Sequence, residues 1–206
     1  MIKYRDVSYK YGDKIILSHI NLNVRKDDFT IIWGKTNSGK SSLIKLLVQE
    51  IEPSDGEIFI NDLNIKDYEN DFEVLYDGFE YMPQTIFLSD TLNVSDNILL
   101  INNKPKISPK DALEMLDSLY LLNKSLLLLN GYERRIVYLA ALLTSKPDII
   151  VFDEASGDLD YTRACNFYKL LKKLNDNHIT IFATTKDERF LCFGKRIYNL
   201  SNSKLA

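Results

Sequence analysis

The 206-residue sequence has few cysteines, no long apolar run and no excess of either charge. Its two cysteines are too few for a disulfide framework, so we expect a reducing cytoplasm as the compartment. Apolar runs such as 98–101 and 126–129 are far shorter than the roughly 18 to 20 residues that a membrane helix needs. The N-terminal residues form no apolar signal core, so we expect no export. The 26 basic against 29 acidic residues argue against a nucleic-acid partner.

What the chain does contain is enough apolar sequence for one buried core, since 45% of its residues are apolar and 27% charged. Short segments rich in β-branched and aromatic residues predict strands over 7–11, 15–17, 20–24, 29–33 and 57–60. Later segments predict strands over 149–152, 180–183 and 196–200, and a helix over 163–174. The pattern from about 89 to 145 is mostly helical. Because apolar strands alternate with helices, we expect an α/β fold with a mainly parallel sheet, an N-terminal β region and a helical insert.

The strongest motif lies between the strand 29–33 and a helical pattern, where residues 34–41 fit the phosphate loop G-x-x-x-x-G-K-[ST]. In such a loop main-chain N–H groups surround phosphates, Lys40 reaches the β- and γ-phosphates, and Ser41 binds Mg²⁺. Asn37 stands where glycine is frequent, and asparagine also tolerates a left-handed backbone. The predicted nucleotide-binding residues are Gly34, Lys35, Thr36, Asn37, Ser38, Gly39, Lys40, Ser41 and Ser42.

A second motif is the apolar strand 149–152, which ends in two carboxylates. Asp153 is a candidate ligand of Mg²⁺, and Glu154 is a candidate general base for the attacking water, with Lys40 as its catalytic partner at the phosphates. The two acidic residues could instead cap a helix. The phosphate loop upstream favours the catalytic interpretation, with ATP and Mg²⁺ as cofactors.

With these motifs the chain resembles the ATP-binding-cassette (ABC) ATPases over nearly its whole length. The resemblance implies that Tyr11 stacks on adenine, with Tyr9 as the neighbouring candidate and a core aromatic as the alternative. Gln84 matches the glutamine that contacts Mg²⁺ and faces the membrane subunit, and Asp160 matches the D-loop aspartate. The resemblance also implies one P-loop NTPase domain, with a core of 1–84 and 146–206 and a helical subdomain over about 85–145.

Two positions depart from the family pattern, and the resemblance implies a weakened site at both. The family signature Leu-Ser-Gly-Gly-Gln binds the γ-phosphate held by the opposite subunit of a head-to-tail dimer. Here residues 129–133 read Leu-Asn-Gly-Tyr-Glu, so the predicted trans site is Asn130, Gly131, Tyr132 and Glu133. Asn130 can still cap the helix, but Tyr132 replaces a glycine used for close backbone approach. Thr185 stands where the family has a histidine in its switch loop. One hydroxyl cannot bridge the γ-phosphate, the water and the partner subunit as an imidazole does.

Three functions remain open from the sequence. The first is an ATPase subunit that drives a separate integral membrane protein, as a homodimer or as a heterodimer with another cassette. The second is a degenerate cassette that serves as an ATP-dependent switch or as the inactive half of a heterodimer. The third is a soluble ABC module without a membrane partner. Residues 157–160, Gly-Asp-Leu-Asp, are most similar to the cell-division FtsE, LolD and MacB branch. We therefore expect slow ATP hydrolysis on the inner face of the cell membrane.

Overall fold

The computed structural model describes residues 1–68 and 71–206 of the chain. Its strands are β1 (Ile2–Tyr11), β2 (Lys14–Val24), β3 (Phe29–Trp33), β4 (Asp55–Ile60), β5 (Leu63–Asn64), β6 (Phe79–Met82), β7 (Ile149–Phe152), β8 (Thr180–Thr185), β9 (Arg196–Ser201) and β10 (Lys204–Leu205). The α-helices are α1 (Lys40–Leu47), α2 (Phe72–Leu75), α3 (Val94–Ile101), α4 (Pro109–Met115), α5 (Gly131–Leu143) and α6 (Tyr161–Asp176). Short 3-10 helices cover Ile65–Tyr68, Leu119–Leu121, Leu126–Leu128 and Glu188–Phe193.

Two sheets form the β structure. The first is antiparallel, in the order β2-β1-β4-β5, and the second has the order β10-β9-β3-β8-β7-β6. In the second sheet, strands β9, β3, β8, β7 and β6 run parallel to their neighbours, and only β10 pairs antiparallel. The predicted α/β class, with its parallel sheet and N-terminal β region, is therefore confirmed.

Strand β7 is apolar at every position because both of its faces are buried. Ile149 and Val151 face one hydrophobic cluster, which also contains the inner faces of β1, β2 and β4 and the helix α1. Ile150 and Phe152 face the other cluster, which contains α3 to α6. Because successive side chains of a strand point to opposite faces, a strand buried on both faces must be apolar at every position.

Several predicted strands and one predicted helix were too short. The segments 7–11, 15–17 and 20–24 belong to two long strands, β1 and β2, whose pairing contains register shifts that interrupt the alternation of side chains. Strand β6 was missed, because it has only four residues and their burial does not alternate: the two end residues are buried and the two middle residues are half-buried. The helix predicted over 163–174 spans Tyr161–Asp176, and the strand predicted over 180–183 extends to Thr185.

Two helices between residues 89 and 145 begin directly after residues that cap them. Ser108 caps α4 in a reciprocal arrangement with Asp111, and Pro109 is the first helical residue. Asn130 caps α5, which packs against α3 and α4. Among the residues that the structure describes, no helix is long and apolar enough to span a bilayer.

Candidate functional site

The phosphate loop connects β3 to α1 at the carboxyl end of the parallel sheet. Asn37 has φ 64° and Gly39 has φ 103°, so the loop does use left-handed backbone at the position predicted for asparagine. The Gly34 N–H donates to the Thr185 carbonyl at 3.2 Å, which ties the loop to the end of β8. A Cβ on Gly34 would lie 2.6 Å from the Leu200 carbonyl oxygen, so this position requires glycine.

Lys40 is buried inside this loop. Its ammonium group donates to the carbonyls of Gly34 at 2.7 Å and Lys35 at 3.0 Å. The same nitrogen lies 3.2 Å from Oε1 of Glu154, and both side chains are more than nine-tenths buried. Glu154 has φ 52°, a backbone conformation that is strained for a residue with a side chain. The structure thus brings together the lysine and the glutamate that the two sequence motifs predict.

Asp153 lies beside them at the end of β7. Its Oδ1 accepts from the Ser41 hydroxyl at 3.2 Å and from the Thr184 hydroxyl at 3.0 Å. The Glu154 N–H donates to the same Thr184 oxygen at 2.7 Å. A carboxylate next to a hydroxyl is the oxygen donor set that Mg²⁺ takes when phosphates and water complete its shell, so these residues fit the ion.

A cavity of about 390 Å³ opens above these groups. Its lining includes residues 36–42 of the loop and α1, together with Gln84 and Glu154. Three further lining residues were not suggested by the sequence, namely Lys14, Ile16 and Lys186. Tyr11 does not line this cavity. It stands at the end of β1 with 76% of its surface exposed, available to a flat ligand.

The signature segment lies outside this cavity. The Asn130 side chain accepts from the N–H groups of Tyr132 and Glu133, and the Glu133 carboxylate accepts from the Asn130 N–H at 3.0 Å. The predicted cap is therefore present. Gly131 is exposed, whereas the half-buried Tyr132 ring packs against the helical hydrophobic cluster, and this burial raises the pKa of Tyr132, with a smaller contribution from Tyr120.

Asp160 and Thr185 do not line the cavity, and both make structural hydrogen bonds. Asp160 caps α6 by accepting from the Arg163 N–H at 2.9 Å. Thr185 is fully buried at the end of β8, and its hydroxyl accepts from the Asp187 N–H at 3.2 Å. Because strand order places β8 between β3 and β7, Thr185 is close to both catalytic motifs.

Arg135 is a residue that the sequence analysis missed. It lies on α5 and is buried, and its guanidinium donates to the carbonyls of Gln84 at 3.0 Å and Ala155 at 3.4 Å. Burial lowers the pKa of Arg135, and the charge of Asp158 opposes that effect. Arg135 thus joins the signature helix to the Gln84 loop and to the turn after β7. A buried arginine within an apolar helix face is the signal that could have identified it.

Replacing Gly157 with alanine is expected to destabilise the fold strongly. Gly157 has φ 50°, and an added Cβ would lie 1.7 Å from a terminal nitrogen of Arg135. The guanidinium would have to leave its carbonyl partners, at a cost of about 1.5 to 3 kcal/mol beyond the backbone strain. Gly12→Ala is the matched control, since Gly12 has φ 58° and open space around it.

Urea unfolding of the two variants measures the difference. Gly12→Ala should lose only the left-handed penalty of about 1 to 2 kcal/mol. Equal losses in the two variants would contradict the role assigned to the Arg135 contacts.

Comparison with known proteins agrees with this geometry. The ABC transporter family model matches residues 17–157. The uncharacterized ABC transporter ATP-binding protein MJ0796 of Methanocaldococcus jannaschii is 30% identical, and the match covers 100% of this chain and 95% of that protein. The cell division ATP-binding protein FtsE of Bacillus subtilis is 28% identical over 93% of this chain and 88% of its own length.

A solved structure is similar along the whole chain. It is the dimeric post-hydrolysis state of MJ0796 bound to ADP and Pi, with a TM-score of 0.82, 26% identity, and coverage of 100% of this chain and 96% of that one. The matched region contains the phosphate loop, the cavity and the two carboxylates described above. The chain therefore belongs to the ABC transporter family, as an ATP-binding cassette with ATPase activity.

Proposed function

We propose that this chain is the ATP-binding subunit of a membrane complex and that it hydrolyses Mg-ATP slowly to drive or gate a separate transmembrane partner. The observation that carries the proposal is the convergence of Lys40, Ser41 and Glu154 at one cavity, with Asp153 hydrogen-bonded to Ser41. An ammonium group and a hydroxyl at the start of a helix, with two carboxylates beside them at the end of a strand, suit a nucleoside triphosphate with its Mg²⁺.

Each residue has a distinct task in this proposal. The main-chain N–H groups of residues 34–39 and the Lys40 ammonium hold the phosphates, while Ser41, Asp153 and Gln84 hold Mg²⁺, which neutralises phosphate charge when bound. Glu154 accepts a proton from the attacking water. Lys40 must exchange its contact with Glu154 for the phosphates, and this exchange frees the glutamate for the water.

Slow hydrolysis follows from the proposed trans site, which residues 130–133 would form across a dimer. Three features of this segment work against a phosphate. The Asn130 side chain already occupies the first N–H groups of α5, the Glu133 carboxylate adds a negative charge at the cap, and Tyr132 adds bulk. Lys124 lies 3.3 Å from Glu133 and offsets part of that charge. Thr185, with one hydroxyl, offers less than an imidazole to the γ-phosphate.

We infer a membrane partner from the family and from the surface after Gln84. Phe87 is 82% exposed, and Ile86 and Leu88 are half-buried beside it. These residues would contact a cytoplasmic helix of the partner. Met82 does not belong to this surface, because it is the last residue of β6, is buried and pairs with Phe152. The location proposed is the cytoplasm, on the inner face of the cell membrane.

The finer assignments belong to the same proposal. The core comprises residues 1–84 and 146–206, the helical subdomain comprises about 85–145, and Asp160 contributes to the D-loop between cassettes. Tyr11 stacks on adenine. The similarity to FtsE supports a cell-division role, while a switch cassette, an inactive half of a heterodimer and a module without a membrane partner are the alternatives. Isolating the native complex from membranes and identifying its subunits would distinguish these four possibilities.

Trp33 gives a direct optical test of nucleotide binding. It is the only tryptophan and is the last residue of β3, immediately before the phosphate loop. Mg-ATP should change its fluorescence saturably, and Lys40→Ala should abolish that change, because the buried ammonium group is lost. Lys45→Ala is the matched control on the same helix, since Lys45 is exposed and pairs with Glu50. Equal responses from both variants would contradict the proposed role of Lys40.

A further inference from the structure

The hydroxyl group of Tyr168 is buried in an unusual setting. Tyr168 lies on α6 and is fully buried, and its hydroxyl oxygen has no hydrogen-bond partner of normal geometry among the described residues. Such a group costs free energy in an interior, since phenylalanine would fill the same space without it. The Tyr168 hydroxyl therefore calls for an explanation other than packing.

The aromatic ring of Tyr168 is held firmly by its neighbours. It stacks on Phe190 with centroids 4.5 Å apart and planes at 9°, and on Phe193 at 5.6 Å. Phe29 of β3 stacks on it at 6.5 Å. These contacts fix the direction of the hydroxyl group, which lies near the Thr185 hydroxyl and within the electrostatic range of the Glu154 carboxylate.

Thr185 and Glu154 have complementary hydrogen-bonding capacity. The Thr185 oxygen accepts from the Asp187 N–H, which leaves the hydroxyl proton of Thr185 available to donate. Oε2 of Glu154 is buried and has no partner in residues 1–68 and 71–206, while Oε1 has only the ion pair with Lys40. The Glu154 N–H donates to the Thr184 hydroxyl and the Ala155 N–H donates to the Thr184 carbonyl, so Glu154 lies beside the end of β8, where Thr185 follows.

We propose that Tyr168 is a positioning residue of the hydrolytic site: once phosphates have drawn Lys40 away from Glu154, the Tyr168 hydroxyl donates to Thr185 and Thr185 donates to Glu154. This inference rests on the proposed role of Glu154 as the general base. The two hydroxyl groups hold the carboxylate toward the attacking water once phosphates have drawn Lys40 away. This arrangement would allow the slow turnover proposed above with threonine at position 185.

Tyr168→Phe tests the proposal because it removes one oxygen and keeps the three ring stacks. In single-turnover hydrolysis at saturating Mg-ATP we expect the rate to fall about tenfold or more, as is typical when a group that orients a ligating or catalytic side chain is removed. The half-saturating ATP concentration from Trp33 fluorescence should stay the same. The unfolding temperature of the nucleotide-free protein should not fall, because the Tyr168 hydroxyl has no hydrogen-bond partner among the described residues before nucleotide binds.

Tyr4→Phe is the matched control. The Tyr4 hydroxyl is equally buried but donates to the Leu43 carbonyl at 2.8 Å, far from the carboxylates in sequence. Its loss should lower the unfolding temperature and leave the hydrolysis rate unchanged. Thr185→Ser should retain the rate, since serine keeps the hydroxyl group, whereas Thr185→Val should lose it.

The Glu154→Gln background separates this inference from the proposed function. If Tyr168 acts through Glu154, Tyr168→Phe should cause no further loss in the double variant. An unchanged rate for Tyr168→Phe, with Glu154→Gln inactive, would overturn the inference and leave the proposed function standing. Equal losses from Tyr168→Phe in both backgrounds would also overturn it, as a structural effect. An active Glu154→Gln protein would overturn the role of Glu154 itself.

Discussion

The double replacement of Tyr132 with glycine and Thr185 with histidine is expected to raise steady ATP hydrolysis by about a hundredfold to a thousandfold. Loss of one preorganised contact to developing charge in a transition state typically costs about 2.7 to 4 kcal/mol, which corresponds to that range of rates. The two gains need not add, because both positions act on the same γ-phosphate. In a homodimer both composite sites would be repaired together. The measurement is phosphate release at saturating Mg-ATP.

Single variants show which position limits the rate. Tyr132→Gly removes a half-buried ring and exposes part of the helical core, so it should gain rate and lose stability. Thr185→His must place an imidazole in a fully buried position. It also removes the hydroxyl that we propose to link Tyr168 with Glu154. Wild-type hydrolysis at about 10 per second or faster, unchanged by the double replacement, would contradict a weakened site.

Replacing Glu154 with glutamine is expected to reduce whatever hydrolysis remains by about a hundredfold to ten-thousandfold, the usual contribution of a general base. Glutamine keeps the size of the side chain but cannot take the proton from water. The variant should still bind Mg-ATP, because the phosphate loop and Asp153 are untouched, and a dimer held by unhydrolysed ATP should accumulate in gel filtration.

Glu114→Gln is the control for this variant, since Glu114 is an exposed α4 residue paired with Lys110 at 3.8 Å. It should leave both rate and oligomeric state as in the wild type. Hydrolysis by Glu154→Gln at the wild-type rate would show that another group accepts the proton.

The sequence predicts the form of the phosphate loop because that form is set locally. Residues 34–42 are adjacent in the chain and follow one motif between β3 and α1. Asn37 has the left-handed backbone that its residue type allows, and Asn130 caps α5 as predicted. Asp153 and Glu154 follow an apolar strand, and the parallel sheet brings them to the same edge as the loop.

The residues that the sequence does not reveal act through tertiary contacts. Arg135 contacts the carbonyls of Gln84 and Ala155, which lie 51 and 20 positions away. Its place on an apolar helix face indicates burial, but no local pattern indicates these two partners. Tyr168 has the spacing of an ordinary core residue of α6, and only the surrounding aromatic stacks and Thr185 give its hydroxyl a direction. Strand β6 is too short for a periodic signal, and its pairing with β7 determines its conformation.

Calorimetric titration of the purified wild-type protein with Mg-ATP tests the central claim most directly, because every role assigned above depends on a bound nucleotide. The buried Lys40 and the Ser41–Asp153 pair predict saturable binding, and Lys40→Ala should show none under the same conditions. Absence of saturable heat from the wild-type protein, at concentrations where it is folded, would contradict the assignment of the cavity as an ATP site.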